Sequence, residues 1–152
     1  MGIRKRAMTF AVAAATVVVL GLGAGPAQAT SGYGYDGTNP ATTGCATGSY
    51  AIASWPIKVN GTGATVGTME VRYSPRCGTN WVRVNNTLAG YQALKYISRA
   101  SPWAEQGELD TATGWSYGMQ YYAPGSTCVG VSGQIFRPSG GVNAWSGDHL
   151  VC

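Results

Sequence analysis

The sequence contains one histidine, His149, which directly follows Asp148. A serine hydrolase needs a histidine base that is oriented by a carboxylate brought in from elsewhere in the fold. A neighbour in sequence is poorly placed for that task. We therefore expect Asp148 and His149 to form an exposed polar pair in a C-terminal loop.

Paired carboxylates, as in a glycosidase, are the other chemistry to consider. Glu70 shares one face of a predicted strand with Arg72, which is typical of a solvated surface. The other three candidates, Glu105, Glu108 and Asp110, fall in one polar segment. The sequence therefore favours a protein that is not an enzyme, and a hydrolase is kept as the third hypothesis.

The cysteines are Cys45, Cys77, Cys128 and Cys152. An even number in a small exported chain predicts two disulfides, which leave no thiol nucleophile. The spacing is too wide for zinc ligand pairs, so we expect no metal site, and nothing calls for a cofactor. Three pairings are possible. We favour Cys45–Cys77 with Cys128–Cys152, since each bridge then ties one half of the chain to itself and stabilises it by roughly 3–4 kcal/mol.

An alternating aromatic stretch has two interpretations. Its larger residues are Trp115, Tyr117, Met119 and Tyr121. They could form a stacking platform for sugars, or the core face of a strand, and we favour the core face. In that case Tyr50 and Tyr122 are the candidates for exposed aromatic side chains.

Residues 30–44 are rich in glycine and lack an aliphatic run, which predicts an irregular, flexible arm. Tyr33, Tyr35 and Asp36 are its candidate partner-binding residues, because an extended segment with two aromatic rings and one charge suits insertion into a cleft. The alternative is a tail whose tyrosines pack back on the domain. The residues alone leave both open.

Residues 1–29 predict a cleaved secretory signal: Arg4, Lys5 and Arg6 precede an apolar run at 7–22, and the small residues of Ala-Gln-Ala at 27–29 suit a cleavage site. A membrane anchor is the alternative, but the glycines and Pro26 at the end of the run argue against it. Three of the ten cations are lost with the signal, so seven cations and six acids remain, a net charge of +1. The remaining cations are scattered, which argues against nucleic-acid binding. The mature chain is expected to be secreted and extracellular.

Short runs of strand-forming residues separated by Gly, Pro and Asn predict an all-β fold, a small antiparallel sandwich or barrel of about six or seven strands. The domain organisation is then a signal peptide (1–29), the arm (30–44) and a disulfide-stapled β domain (45–152). Residues 100–113 are expected to form a loop, with at most one helical turn. A hairpin centred on Arg76 would place Val71 opposite Trp81.

Two segments resemble a known family: Tyr-Asp-Gly-Thr-Asn-Pro at 35–40, and Val-Gly-Thr-Met-Glu-Val-Arg-Tyr-Ser-Pro-Arg-Cys-Gly-Thr-Asn-Trp-Val-Arg-Val at 66–84. Together with Cys45 after Thr-Gly, they are similar to the YjfA-like family of small secreted bacterial proteins of unknown function. The chain also resembles the adaptor subunit (UmbB-like) of secreted umbrella toxin particles. That resemblance implies an adaptor between a lectin subunit and a larger toxin subunit, with Tyr33, Tyr35 and Asp36 entering the lectin's cleft.

The leading hypothesis is therefore a secreted, non-enzymatic protein-interaction module, an adaptor in an extracellular toxin complex that binds its partner through the arm. The alternative is a secreted carbohydrate or cell-wall binding domain that uses the C-terminal aromatic residues.

Overall fold

A computed structural model describes residues 31–152, and the predicted signal peptide at 1–29 lies outside these residues. A 3₁₀ turn at Gly32–Tyr35 precedes nine strands. The strands are β1 (Tyr50–Val59), β2 (Thr65–Ser74), β3 (Thr79–Asn86), β4 (Gln92–Ala100), β5 (Trp103–Asp110), β6 (Gly114–Tyr117), β7 (Tyr121–Tyr122), β8 (Val129–Phe136) and β9 (Val142–Val151). The described part of the chain contains no helix with the length and hydrophobicity of a membrane span.

All nine strands belong to one antiparallel sheet in the order β5-β4-β8-β9-β1-β2-β3-β6, and β7 also pairs with β3. The sheet curls until its two ends lie side by side. On β4, Lys95 binds both Asp110 of β5 and Ser116 of β6. The result is a nearly closed barrel, which confirms the predicted all-β class with more strands than expected.

The interior of the barrel is filled by the inward residues of alternating strand positions. Val82 and Val84 of β3 point inward, so Trp81 and Arg83 point outward. The other fully buried apolar side chains come mainly from β1, β2, β4 and β8, and include Ile57, Met69, Val71, Ile97, Val131 and Ile135. The strands are rich in β-branched residues, which pack well on a pleated surface.

The register of the β2–β3 hairpin differs from the prediction by one residue. Val71 lies opposite Val82, and Trp81 lies opposite Arg72. The turn runs from Ser74 to Thr79, where Gly78 takes the positive φ of 66° that closes it. The predicted Val71–Trp81 pair was wrong because Arg76 is not the centre of the turn.

The expectation of a loop at 100–113 was also wrong, since β5 occupies Trp103–Asp110 and pairs with β4 along its whole length. Both faces of β5 carry polar residues, so the alternating hydrophobic pattern that marks a half-buried strand is missing. Side-chain bonds to β4 hold β5 in place of hydrophobic packing: Tyr96 Oη donates to Glu105 at 2.6 Å, and Lys95 binds Asp110.

The two disulfides are Cys45–Cys77 and Cys128–Cys152, which confirms the favoured pairing. The first joins the N-terminal segment to the β2–β3 turn, and the second joins the start of β8 to the end of β9. Pro56 lies where β1 pairs only with β2, because β1 meets β9 only at Lys58 and Val59. The missing N–H of the proline is therefore tolerated.

Candidate functional site

Asp36 is held by the body of the domain. Its carboxylate accepts two hydrogen bonds from the Arg99 guanidinium, at 2.9 and 2.7 Å, and one from the backbone N–H of Tyr122 at 2.7 Å. Arg99 is only 2% exposed. It also donates to the carbonyls of Tyr122 and Pro102. The Asp36 carboxylate raises the pKa of the Arg99 guanidinium, although burial opposes that effect, so this cation stays charged.

The side chain of Tyr33 packs next to this ion pair. Its ring meets Tyr122 edge to face, with 5.2 Å between centroids, and lies 4.7 Å from the Arg99 guanidinium carbon. The ring is nevertheless 55% exposed. The half-buried Tyr35 uses its carbonyl to accept two bonds from Thr38. In this structure the segment predicted as an arm lies back on the domain, as in the second of the two alternatives, and its role in partner binding stays a prediction.

The rest of the N-terminal segment is attached through Gln120, which is fully buried. The Gln120 amide donates to the hydroxyls of Thr38 and Thr43, and its oxygen accepts from Thr79 at 2.8 Å. The Cys45–Cys77 bridge follows directly. Residues 36–45 are therefore bound by an ion pair, an amide network and a covalent link.

Trp103, the first residue of β5, is a further exposed aromatic side chain. It follows Pro102, whose carbonyl accepts from Arg99 Nε at 3.0 Å, and its side chain is 68% exposed. We call Tyr33, Tyr122 and Trp103 the N-terminal patch: the Tyr33 ring packs on Tyr122 and Arg99, and Trp103 is the residue after the Pro102 carbonyl that Arg99 binds. Sequence reasoning missed Arg99 and Trp103, because Trp103 was assigned to a loop and nothing marks Arg99 as an inward residue.

The aromatic stretch at 115–121 does not form one core face. Trp115 and Tyr117 point outward from β6 and are each 45% exposed, while Ser116 is buried beside Lys95. Only Tyr121 joins the core, because β6 ends at Tyr117 and the chain resumes in β7. The core-face interpretation was therefore wrong for Trp115 and Tyr117. Tyr50 is exposed as predicted, whereas Tyr122 is half-buried.

An open groove of about 210 Å³ lies on the outer face beside Tyr117. We call it the outer groove; its walls include Ala41, Ala46, Arg72, Trp81, Arg83 and Tyr117. Arg83 donates from Nε and Nη2 to Glu70, both at 2.7 Å, and its guanidinium stacks 4.1 Å above the Trp115 ring. Arg72 donates to the carbonyl of Ser49 at 2.6 Å. A second, larger cleft of about 340 Å³ lies between Tyr50, Tyr73 and the C-terminal end of β9.

The candidate acids are dispersed among separate partners. Glu70 is paired with Arg83, Glu105 with Tyr96, Glu108 with Gln106, and Asp110 with Lys95. Lys95 is 1% exposed. Burial tends to raise the pKa of Asp110, but the hydrogen bond from Lys95 and that from the Ala112 N–H lower it below its ordinary value. Across residues 31–152, no three His, Cys, Asp or Glu side chains converge as metal ligands would.

Asp148 and His149 lie in strand β9, so the predicted loop is wrong there too. Asp148 is exposed, as expected. His149 is half-buried: its ring stacks on Trp55, with 3.9 Å between centroids, and its Nε2 lies 2.8 Å from the Ser146 carbonyl. The ring is packed as a structural group against β1.

Fold and surfaces together define a small, disulfide-linked, all-β domain with two sets of exposed aromatic side chains, one that includes Tyr33 beside the buried Arg99 and one that includes Trp115 beside Arg83. The chain belongs to the family described as protein of unknown function (DUF2690), whose sequence model matches residues 33–124. The match begins at Tyr33 and ends after β7, so it includes the anchored N-terminal segment and the outer groove.

A similar protein, whose role is also unassigned, supports membership of a family of unknown function. The chain is 34% identical over 70 residues to the uncharacterized protein YjfA of Bacillus subtilis (strain 168). The aligned part is 44% of this chain and 44% of the relative, so the chain spans less than half of that protein's length. No solved structure matches the chain.

Proposed function

We propose that the mature domain is an extracellular, non-enzymatic protein-interaction module that binds its partner through the N-terminal patch. The observation that carries this proposal is the exposure of two aromatic side chains: Tyr33, 55% exposed, packs against the buried Arg99, and Trp103, 68% exposed, follows the Pro102 carbonyl that Arg99 binds. Tyrosine, tryptophan and arginine are the residues most enriched in binding hot spots. Two disulfides and a sequence that begins like a secretory signal support an extracellular location.

The three predicted partner-binding residues take different roles in this proposal. Tyr33 presents its ring to the partner. Asp36 is a positioning residue, because its carboxylate is already used by Arg99 and the Tyr122 N–H. Tyr35 fixes the turn through its carbonyl. A segment held in place before binding loses less conformational entropy in the complex than a free tail would.

The finer form of the proposal is an adaptor subunit of a secreted toxin complex, with a lectin-like subunit and a larger toxin subunit as partners. Its support is the resemblance at residues 35–40 and 66–84. The anchored segment contains the first of these stretches, and the β2–β3 hairpin contains all of the second.

The test compares tagged wild-type domain with Tyr33→Ala/Trp103→Ala as bait in culture medium of the native producer. Deleting the whole segment is a poorer design, since the deletion also removes the Asp36 anchor. We expect the double variant to lose a stoichiometric protein partner, and Trp115→Ala, a matched aromatic control on the other surface, to retain it. Equal recovery by wild type and double variant would contradict the proposal.

A carbohydrate or cell-wall binding domain is the second candidate function. Its support is the exposure of Trp115 and Tyr117, two aromatic rings on the same face of β6 beside a groove. A glycan array with the wild-type domain, Trp115→Ala and Trp103→Ala tests it. Binding should fall only in Trp115→Ala, and a signal that is lost only in Trp103→Ala would contradict this candidate.

A further inference from the structure

Charge is distributed unevenly over the barrel, although the net charge of the mature chain is small. Residues 50–86, which form β1 to β3 and their turns, contain four cations and one acid: Lys58, Arg72, Arg76, Arg83 and Glu70. Strand β5 contains three of the remaining acids and no cation. The outer face of β1 to β3 therefore complements a ligand that carries negative charge.

Two of these arginines are fixed in position before any ligand binds. Arg83 is held at one edge by Glu70 and on one face by Trp115. Arg72 is held by the carbonyl and the hydroxyl of Ser49, at 2.6 and 3.1 Å. Because Glu70 neutralises one of the two, the pair keeps a net charge of +1. Both line the outer groove together with Tyr117.

The shape of the groove limits what can occupy it. Its volume of about 210 Å³ is smaller than the roughly 300–1,000 Å³ of sites for drug-sized ligands, so it accommodates one ring of a chain molecule. An added peptide strand is disfavoured, because β2 is paired with both β1 and β3, and β3 with both β2 and β6. Neither strand beneath the groove offers a free edge to a peptide backbone.

We propose that the outer groove binds a carboxylated sugar unit within an acidic oligosaccharide. The apolar face of the sugar ring packs against Tyr117, and its carboxylate lies toward Arg72 and Arg83. Planar guanidinium groups match a carboxylate better than an ammonium does. This assignment rests on the carbohydrate-binding candidate of the previous section and names its ligand class.

Isothermal titration calorimetry with the full mature domain tests the proposal. The probes are trigalacturonate, a hyaluronan hexasaccharide and 3′-sialyllactose, with maltotriose as the neutral comparison. We expect at least one acidic probe to bind and to weaken by about tenfold or more in Tyr117→Ala and in Arg72→Gln. Trp103→Ala and Arg137→Gln are the matched controls, an exposed aromatic and an exposed cation elsewhere, and should bind as wild type does.

Raising the salt concentration to about 0.5 M should weaken wild-type binding, because screening shortens the reach of the arginine charges.

If an acidic probe binds wild type, Tyr117→Ala and Arg72→Gln equally well, its site lies outside the groove and the proposal is wrong. If maltotriose binds as tightly as the acidic probes and Tyr117→Ala abolishes both, carbohydrate binding holds and the acidic assignment is wrong. If no glycan binds at millimolar concentration, both are wrong. If a hexaglutamate peptide binds while the glycans do not, the groove recognises an acidic peptide and the proposal is overturned.

Discussion

Arg99 is a buried cation on the inward face of β4, and its charge needs a partner within the fold. Asp36 supplies it from a distant part of the chain and also satisfies the backbone N–H of Tyr122. Removing one member of a buried pair leaves the other charge uncompensated, which costs far more than losing a surface salt bridge. The same contact decides where the Tyr33 ring lies.

The first prediction concerns this pair. Asp36→Asn should lower the free energy of unfolding by about 3 kcal/mol, because the amide leaves the buried Arg99 charge without a counter-ion. Asp148→Asn is the control, since Asp148 is exposed, and should change stability by less than about 0.5 kcal/mol. Urea denaturation followed by tryptophan fluorescence measures both. Equal stability of the two variants would mean that the ion pair contributes little.

The second prediction concerns pH and Asp110. Its pKa is lowered in the folded state, so its contribution to stability is present above the ordinary value and is lost as the pH falls through the folded pKa. The wild-type domain should therefore lose stability below about pH 4, and Asp110→Asn should lose less over the same range. Chemical denaturation at a series of pH values from neutral downward checks it. Parallel curves for the two proteins would contradict the assigned role.

At the scale of strands, the sequence predicts that β2 and β3 are strands, but it does not predict which of their residues lie opposite each other. A hairpin around Arg76 was expected, and its two strands, β2 and β3, are present. The register was shifted by one residue because Pro75, Arg76, Cys77 and Gly78 all suit a turn, so the centre of the turn is ambiguous. A shift by one residue changes every cross-strand pair in the hairpin.

Gly67 of β2 gives the third prediction, because the strands approach closely there. A Cβ at this position would lie 2.6 Å from the backbone carbonyl oxygen of Asn85, which cannot move without disturbing β3. Gly67→Ala should therefore cost about 2 kcal/mol or more. At Gly130, by contrast, an added Cβ meets only the Ser98 hydroxyl, which can rotate away.

Gly130→Ala is thus the matched control on another strand, and it should be nearly neutral. The denaturant midpoints of the two variants give the comparison. A Gly67→Ala domain as stable as Gly130→Ala would show that the β2–β3 pair can separate at little cost.

Some elements could not have been predicted from the sequence, for physical reasons. Strand β5 carries polar residues on both faces because Lys95 and Tyr96 of its neighbour bind them. Trp115 faces outward because its neighbour Ser116 faces inward, where the Ser116 hydroxyl accepts a hydrogen bond from the buried Lys95. Both depend on side chains of β4 that lie 9 to 21 residues earlier in the chain, so the residue pattern within β5 or β6 alone does not report them.

At the scale of the whole molecule, the disulfide framework was the most predictable feature, because pairing within each half of the chain agrees with the topology. Cys45–Cys77 closes the N-terminal segment onto the β2–β3 turn, and Cys128–Cys152 ties the chain end to β8. The position of the N-terminal segment was less predictable. Its contacts to Gln120 and Arg99 combine residues more than sixty positions apart.

The two bridges should differ in their effect on the fold. Their sequence separations of 32 and 24 give similar chain-entropy stabilisation, roughly 3–4 kcal/mol each. The two bridges differ in burial, because Cys45 and Cys77 are buried while Cys152 is exposed. In addition, the backbone pairing of β8 with β9 already holds the neighbours of Cys128 and Cys152 together. Cys45→Ala/Cys77→Ala should therefore lower the melting temperature more than Cys128→Ala/Cys152→Ala.

Reduction of the native domain gives an independent reading of the same difference. Attack by a thiolate requires access to a sulfur, so dithiothreitol should open Cys128–Cys152 before Cys45–Cys77. Mass spectrometry after alkylation follows the order. The N-terminal segment keeps its position as long as the first bridge and the Asp36–Arg99 pair both persist, so the singly reduced domain should still bind whatever the N-terminal patch binds. Opening of Cys45–Cys77 first would mean that the segment leaves the barrel readily, and that the patch is not a preformed surface.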